Sequence, residues 1–363
     1  MKDTDEQSGE TIQASGAASS LTRRRFIQSV VFSTAGLLAS CQRGVEKAGS
    51  AGGGKKRPVI QTVNGEMAAD DMGFTLPHEH VIVDWNGMDG KSRERYDPAE
   101  VVTVIKPLLD DVRKLGVRTF ADCTPQYLGR NVNLLSTLSR ATGLNILTCT
   151  GLHEKTHWPK FAFEASVEEL TNMMIRDFED GIDGTGIRPG FIKIGVSNEG
   201  PVTPNDEKIL TAACRASRAT GATINSHTFQ GASAMREIEI LEHEGVDPAS
   251  FVYVHACFEP EVSYTLEAAK RGVWIEFDSI RADRADFHLQ RILIMIDKGY
   301  ERQLLLSQDR GWYTVGEKSG GKINDYSYLP KTFLPLLASK GVTSAQIYTM
   351  TVTNPASTFA FKK

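Results

Sequence analysis

The stretch Thr75-Leu76-Pro77-His78-Glu79-His80-Val81 places two histidines two residues apart in a run that reads as a β-strand. Side chains alternate along a strand, so residues i and i+2 project to the same side. In a barrel that side can be the lumen, and His78 and His80 would then face inward together.

Working outward, residues 59–63 followed by Asn64-Gly65 read as a strand entering a turn, because Asn-Gly readily takes positive φ. Eight barrel strands are then expected at residues 73–84, 118–124, 145–152, 190–197, 223–228, 251–258, 273–279 and 304–309. Amphipathic helical patterns separate them. The clearest opens at Ser166-Val167-Glu168-Glu169, a capping box whose Ser and Glu satisfy free backbone N–H groups. Others are read over 204–220, 231–243 and 286–297. Several strands are apolar until their last residues, as parallel strands buried on both faces should be. Strand and helix alternating eight times predict an α/β fold of the (β/α)8 TIM-barrel type. A doubly wound open sheet is the alternative, but no Gly-rich phosphate turn follows the first strand.

Polar residues gather where such a barrel carries its chemistry. Lys193 interrupts the apolar run Gly190-Phe191-Ile192-Lys193-Ile194-Gly195. His227 lies at the end of the fifth expected strand, His255 near that of the sixth and Asp309 at that of the eighth. A lone strand histidine is usually a satisfied core group, and a lone lysine can point outward. Together with His78 and His80, however, six such residues are hard to explain by packing, because buried charges need partners or a metal. Four imidazoles and a carboxylate match the donors that Zn²⁺, Co²⁺ or Mn²⁺ accept. Lys193 fits the same set if its neutral amine adds CO2, since the carbamate is an anion with two oxygens that can bridge two metals.

The 363-residue chain is 40% hydrophobic, ample for one large core, and 41 basic against 45 acidic side chains leave a net charge of −4. No basic stripe with interleaved aromatics suggests a nucleic-acid partner. The five cysteines, Cys41, Cys123, Cys149, Cys214 and Cys257, form no C-x-x-C pair and no disulfide framework. Three segments are expected: a signal over 1–40, a flexible tether over 41–57 and the barrel over 58–363. The signal resembles a twin-arginine export sequence, with Thr22-Arg23-Arg24-Arg25-Phe26-Ile27-Gln28 just before the apolar residues 30–38. That apolar run is too short to span a bilayer, for which about 20 residues are needed. Leu38-Ala39-Ser40-Cys41 resembles a lipobox, so export to the periplasm or cell surface with a lipid anchor at Cys41 is expected.

Gly73-Phe74-Thr75-Leu76-Pro77-His78-Glu79-His80 resembles the opening signature of the phosphotriesterase-like branch of the amidohydrolase superfamily, which includes phosphotriesterases and lactonases. Gly129-Arg130-Asn131, Thr150-Gly151-Leu152, Gly184-Thr185-Gly186-Ile187-Arg188 and Asn354-Pro355-Ala356 are similar to further positions of that family. The likeness runs in order through nearly all of residues 58–361. It implies a binuclear metal-dependent hydrolase. His78, His80 and Asp309 would hold the more buried ion and His227 and His255 the more exposed one, with carboxylated Lys193 bridging both. Hydroxide held between the ions would attack the substrate, and Asp309 would take up its proton.

Two departures from the family pattern bear on substrate. Phe258 stands where relatives carry an Asp after the sixth strand, and Ser279 stands where they carry His or Arg after Asp278. Lactones or carboxylic esters are therefore the expected substrates, with organophosphate triesters as the alternative. A metal-binding lipoprotein without turnover is the alternative of another class, since fold alone does not secure function. His153, Glu259, Arg281 and Trp312 are the candidate substrate contacts, and a homodimer is the expected assembly.

Overall fold

The computed structural model describes residues 57–362, so the expected signal, Cys41 and all but the last residue of the tether lie outside the described residues. Eight parallel strands run Thr75–Val83, Thr119–Asp122, Asn145–Leu147 continued by Cys149–Thr150, Phe191–Gly195, Ile224–His227, Phe251–Val254, Trp274–Phe277 and Leu304–Leu306. Each is hydrogen-bonded in parallel to the next. Between the eighth strand and the first, the Asp309 N–H donates to His78 O at 3.1 Å and the His80 N–H to Arg310 O at 2.9 Å. A short strand, Gly311–Thr314, then pairs in parallel with the first. The architecture is the expected TIM barrel.

Helices Pro98–Lys114, Val132–Thr142, Val167–Glu179, Pro204–Thr220, Gly231–His243, Val262–Lys270 and Ala285–Asp297 follow the first seven strands, and Leu334–Ser339 follows the eighth. Their starts are chemically specified. Ser166 with Glu169 and Thr203 with Asp206 form reciprocal capping boxes, while Asp97 and Asn131 each accept a backbone N–H of the first turn.

All eight expected strands run past the observed ends, and three of them show why. The third changes partner across Thr148, its first half pairing with the second strand and its second half with the fourth. The sixth stops at Val254, because His255 adopts φ 63° and Ala256–Phe258 forms a short 3-10 turn. The eighth stops at Leu306, where Ser307 Oγ, Gln308 N and Arg310 N are gathered by the buried Glu79 carboxylate at 2.9, 3.1 and 2.8 Å. Ahead of the barrel, Val59–Thr62 and Gly65–Ala68 form a hairpin in which Thr62 faces Gly65, so the turn residues are Val63 and Asn64 rather than Asn64 and Gly65. Part of the barrel interior is dry. Ala121, Cys123, Leu147, Cys149 and Phe191 pack with Ile60, Met72 and Phe359, and Val252, Val254, Trp274 and Leu305 form a second apolar group.

Candidate metal centre

Two residues beyond that apolar fill, the side chains on the same faces become polar. His78 and His80 come from the middle of the first strand, Lys193 from the middle of the fourth, and His227 ends the fifth. His255 and Asp309 sit just past the sixth and eighth, both at positive φ (63° and 52°). The structure brings all six together. The His78 ring lies 5.3 Å from that of His80 and 5.0 Å from that of His255, and His255 lies 4.4 Å from His227. Asp309 Oδ1 is 3.1 Å from His80 Nε2 and 3.8 Å from His78 Nε2. Donor atoms of His78, His255 and Asp309 all lie within 4.8 Å of one another.

Each histidine is fixed through its ring by a group from a neighbouring segment. Glu276 Oε1 lies 2.7 Å from His78 Nδ1, Thr124 Oγ1 2.8 Å from His80 Nδ1, and Asp278 Oδ1 2.7 Å from His255 Nδ1. Asn198 Oδ1 lies 2.7 Å from His227 Nε2. Such contacts select which ring nitrogen stays free and orient the ring. Asp278 also accepts the His255 backbone N–H at 2.9 Å, so one carboxylate sets both the chain and the ring.

The electrostatics suit cation ligands. Burial, reinforced by Lys193 and the neighbouring imidazoles, holds His78 well below the usual imidazole range. Burial does the same for His227, with His255 and His153 adding to it. Both rings are thus neutral with lone pairs available at physiological pH. Burial would raise the Asp309 carboxyl, but the hydrogen bond and charge of His80, with His255 and Lys193, bring it down to about 2. Burial and the adjoining Asp278 push Glu276 well above the carboxylate range. Lys193 Nζ is buried with no hydrogen-bond partner, and so are both amide atoms of Asn225, its register partner on the fifth strand. The Lys193 amine is left without a partner of its own, and the four imidazoles and the carboxylate around it are donors that a divalent ion accepts.

The mouth is aromatic. Trp312 stacks on His80 at 3.7 Å, Trp85 lies 5.5 Å from both Trp312 and His157, and His153 lies 4.6 Å from His227. Burial and Lys193 hold partly buried His153 well below the imidazole range. Opposite His153, Phe229 contacts His227 at 4.8 Å and His255 at 5.3 Å and stacks on Phe258 at 4.5 Å. Of the four expected substrate contacts, the structure therefore gathers His153 and Trp312 at the site. Glu259 is spent elsewhere, accepting the Gly231 and Glu261 N–H groups at 2.5 and 2.6 Å. Arg281 pairs with Asp283 at 3.0 Å.

Sequence reasoning did not single out Glu276, Thr124, Asn198 or Phe229. Glu276 was findable, because a lone carboxylate in the apolar run Trp274-Ile275-Glu276-Phe277 is the signal that marked Lys193. The others reach the site only through the fold.

The phosphotriesterase family profile matches residues 58–359. A phosphotriesterase homology protein of Escherichia coli (strain K12) is 31% identical over 297 residues, 81% of this chain and 100% of its own length. An aryldialkylphosphatase of Saccharolobus solfataricus is 27% identical over 305 residues, covering 81% of this chain and 97% of its own. Among solved structures, a mutant of a PTE-like lactonase from Deinococcus radiodurans superposes with TM-score 0.75 at 32% identity, over 83% of this chain and 100% of its own. A mutant organophosphorus hydrolase from the same organism gives TM-score 0.77 at 32% identity, over 86% and 100%. Matched over residues 58–359 and carrying a metal-binding donor set at the barrel mouth, this chain is a hydrolase that belongs to the phosphotriesterase family.

Proposed function

We propose that the protein hydrolyses lactones or carboxylic esters with a pair of divalent ions, zinc by donor set, with cobalt or manganese accepted as well. The observation that carries this reading is the buried, unpartnered Lys193 amine among His78, His80, His227, His255 and Asp309. His78, His80 and Asp309 would hold one ion and His227 and His255 the other. Lys193 would be a ligand of both as a carbamate, formed when its amine bonds to the carbon of CO2 and gives up a proton. When bound, such ions polarise a carbonyl or phosphoryl oxygen and bring the pKa of water towards about 7.

The chain's own residues do the rest. Asp309 is ionised across the neutral range, and its Oδ1 is the atom that receives the proton released as substrate is attacked. Glu276, Thr124, Asp278 and Asn198 keep the four rings from turning. Trp312 and Trp85 cover His80 and exclude water from that side, and Trp312 with His153 would contact the substrate.

Esters are preferred over phosphotriesters on the grounds of Phe258 and Ser279. Phe258 has no titratable group and the Ser279 hydroxyl carries no charge at neutral pH, so neither supplies an acid–base group or a cation for a phosphotriester's leaving oxygen. Both chemistries are named among the relatives, one as a lactonase and one as an aryldialkylphosphatase. The test is a panel of lactones, aryl esters and aryl phosphotriesters assayed on metal-stripped and reconstituted protein. Turnover should vanish on chelation, return with two equivalents of metal, and favour lactones or esters at least tenfold in kcat/KM, about 1.4 kcal/mol of barrier. Faster phosphotriester turnover would overturn the substrate assignment.

The export reading rests on Arg23, Arg24 and the apolar residues that follow, and the anchor on Cys41. Cys41→Ser should release the exported protein from the membrane fraction, and a wild-type protein lacking lipid would remove the anchor. A homodimer remains the proposed assembly, to be read by light scattering.

A further inference from the structure

Beyond the ligands, the sixth and seventh strand ends build a second feature that the hydrolytic reading does not use. Phe258 is partly exposed and lies 6.0 Å from the His255 ring. One neighbour of Phe258 is Phe229, stacked at 4.5 Å. Another is the Arg284 guanidinium, 4.5 Å from the Phe258 centroid and 5.1 Å from that of Phe287. Among the described residues the Arg284 guanidinium makes no ion pair and no hydrogen bond, and rings are its neighbours. Arg281, three residues earlier, has Asp283 as its acid. A guanidinium seated on aromatic faces keeps its N–H edge free, and that edge matches a carboxylate through two parallel hydrogen bonds.

We infer that Arg284 is a specificity residue, and that the substrate carries a terminal carboxylate set apart from its scissile carbonyl by an apolar spacer. The spacer would lie along Phe229 and Phe258, two rings that lead from His255 and His227 to the cation. The steps from His255 to Phe258 and from Phe258 to Arg284, 6.0 and 4.5 Å, bound from above the separation the substrate must bridge. A short neutral lactone would leave Arg284 unused, whereas a monoester of a dicarboxylic acid would engage both ends. This deepens the ester-hydrolase proposal and rests on it for the bond that is cleaved.

The test compares 4-nitrophenyl hydrogen adipate with the same ester methylated at its free carboxyl, using the full, metal-reconstituted chain. The wild-type protein should prefer the carboxylate-ended ester. In Arg284→Gln the ratio of the two kcat/KM values should fall by about 10- to 100-fold, as expected for losing a hydrogen bond between charged groups. Arg284→Lys should recover part of it, since an ammonium keeps the charge without the planar fork. Equal kcat/KM for the two esters in wild type, or a ratio that shifts in Arg281→Gln and not in Arg284→Gln, overturns the inference. Calorimetric titration of the full, metal-stripped chain with monomethyl and dimethyl adipate reads recognition without turnover. If neither ester is cleaved but monomethyl adipate binds through Arg284, the ester-hydrolase reading falls and this one stands. If binding is also indifferent to Arg284, both fall.

Discussion

The dry and the polar parts of the barrel interior are separated by one step of strand alternation, and the contrast between them explains the molecule. Phe191 packs into the apolar fill, while Lys193, two residues on and facing the same way, is an unpartnered amine among imidazoles. Trp274 closes the second apolar group, and Glu276, again two residues on, meets His78 at 2.7 Å. The same strands thus supply stability at one level and chemistry at the next. The lower level works by burial, worth about 25 cal/mol per Å² of apolar surface. The upper level spends stability, because its charged and polar groups are desolvated without full compensation.

Mutations can break this contrast from either side. The largest effect is expected from Lys193→Met, which extends the apolar fill upward. Metal content should collapse and activity fall by about 10²–10³-fold or more, the scale of removing a charged group from the reacting centre. The metal-free protein should meanwhile become more stable by about 1–4 kcal/mol, since a buried charge gives way to a packed side chain. A metal-free Lys193→Met protein less stable than wild type would show that the amine is already satisfied.

Phe359→Ala attacks the lower level instead. Phe359 is buried with its ring 5.2 Å from that of Phe191, so its loss should cost about 3–5 kcal/mol in denaturant titrations. The folded fraction should still bind as much metal as wild type. A parallel loss of metal would mean that the two levels are not separable.

Glu276→Gln sharpens the boundary itself. It keeps the shape beside His78 but changes the proton inventory, and metal affinity measured by chelator competition should fall about 10- to 100-fold. Unchanged affinity would reduce Glu276 to a filler of the lumen.

The last effect is one of pH and concerns Glu237, buried outside the lumen on helix Gly231–His243 against Ser226 and Thr228. Burial raises its carboxyl from the ordinary value of 4.5 to about 8, although the two hydroxyl contacts oppose the rise. The folded state therefore holds a proton that the unfolded chain releases, and stability should decline as pH rises from about 4.5 to about 8. Glu237→Gln should flatten that decline by up to one proton, about 1.4 kcal/mol per pH unit. An identical slope in the variant would place the titration elsewhere.

How far the sequence carried the reading follows the same division. Barrel strands were legible because apolar runs and helical periods alternate eight times, and helices Pro204–Thr220 and Gly231–His243 start and stop where their periodicity indicates. His78, His80, Lys193 and His227 stood out as polar residues in apolar strands, and all six expected ligands converge in space. What could not be read is what tertiary contact decides. Glu259 follows the sixth strand and looks available to a ligand, yet the start of helix Gly231–His243 claims its carboxylate. Arg281 and Arg284 look alike in sequence, and only the fold gives an acid to one and aromatic rings to the other. The strand ends at Val254 and Leu306 depend on left-handed residues and on Glu79, neither of which has a local signature.

Asp278, which accepts both the backbone N–H and the ring of His255, has a consequence for the order of events during maturation. A ligand tied at two points has little rotational freedom left to lose when a cation arrives, so its ordering entropy is settled during folding. Glu276, Thr124 and Asn198 impose the same economy on the other three rings. The chain's own side chains therefore orient the four rings, so much of the ordering cost of the donor set falls on folding rather than on binding.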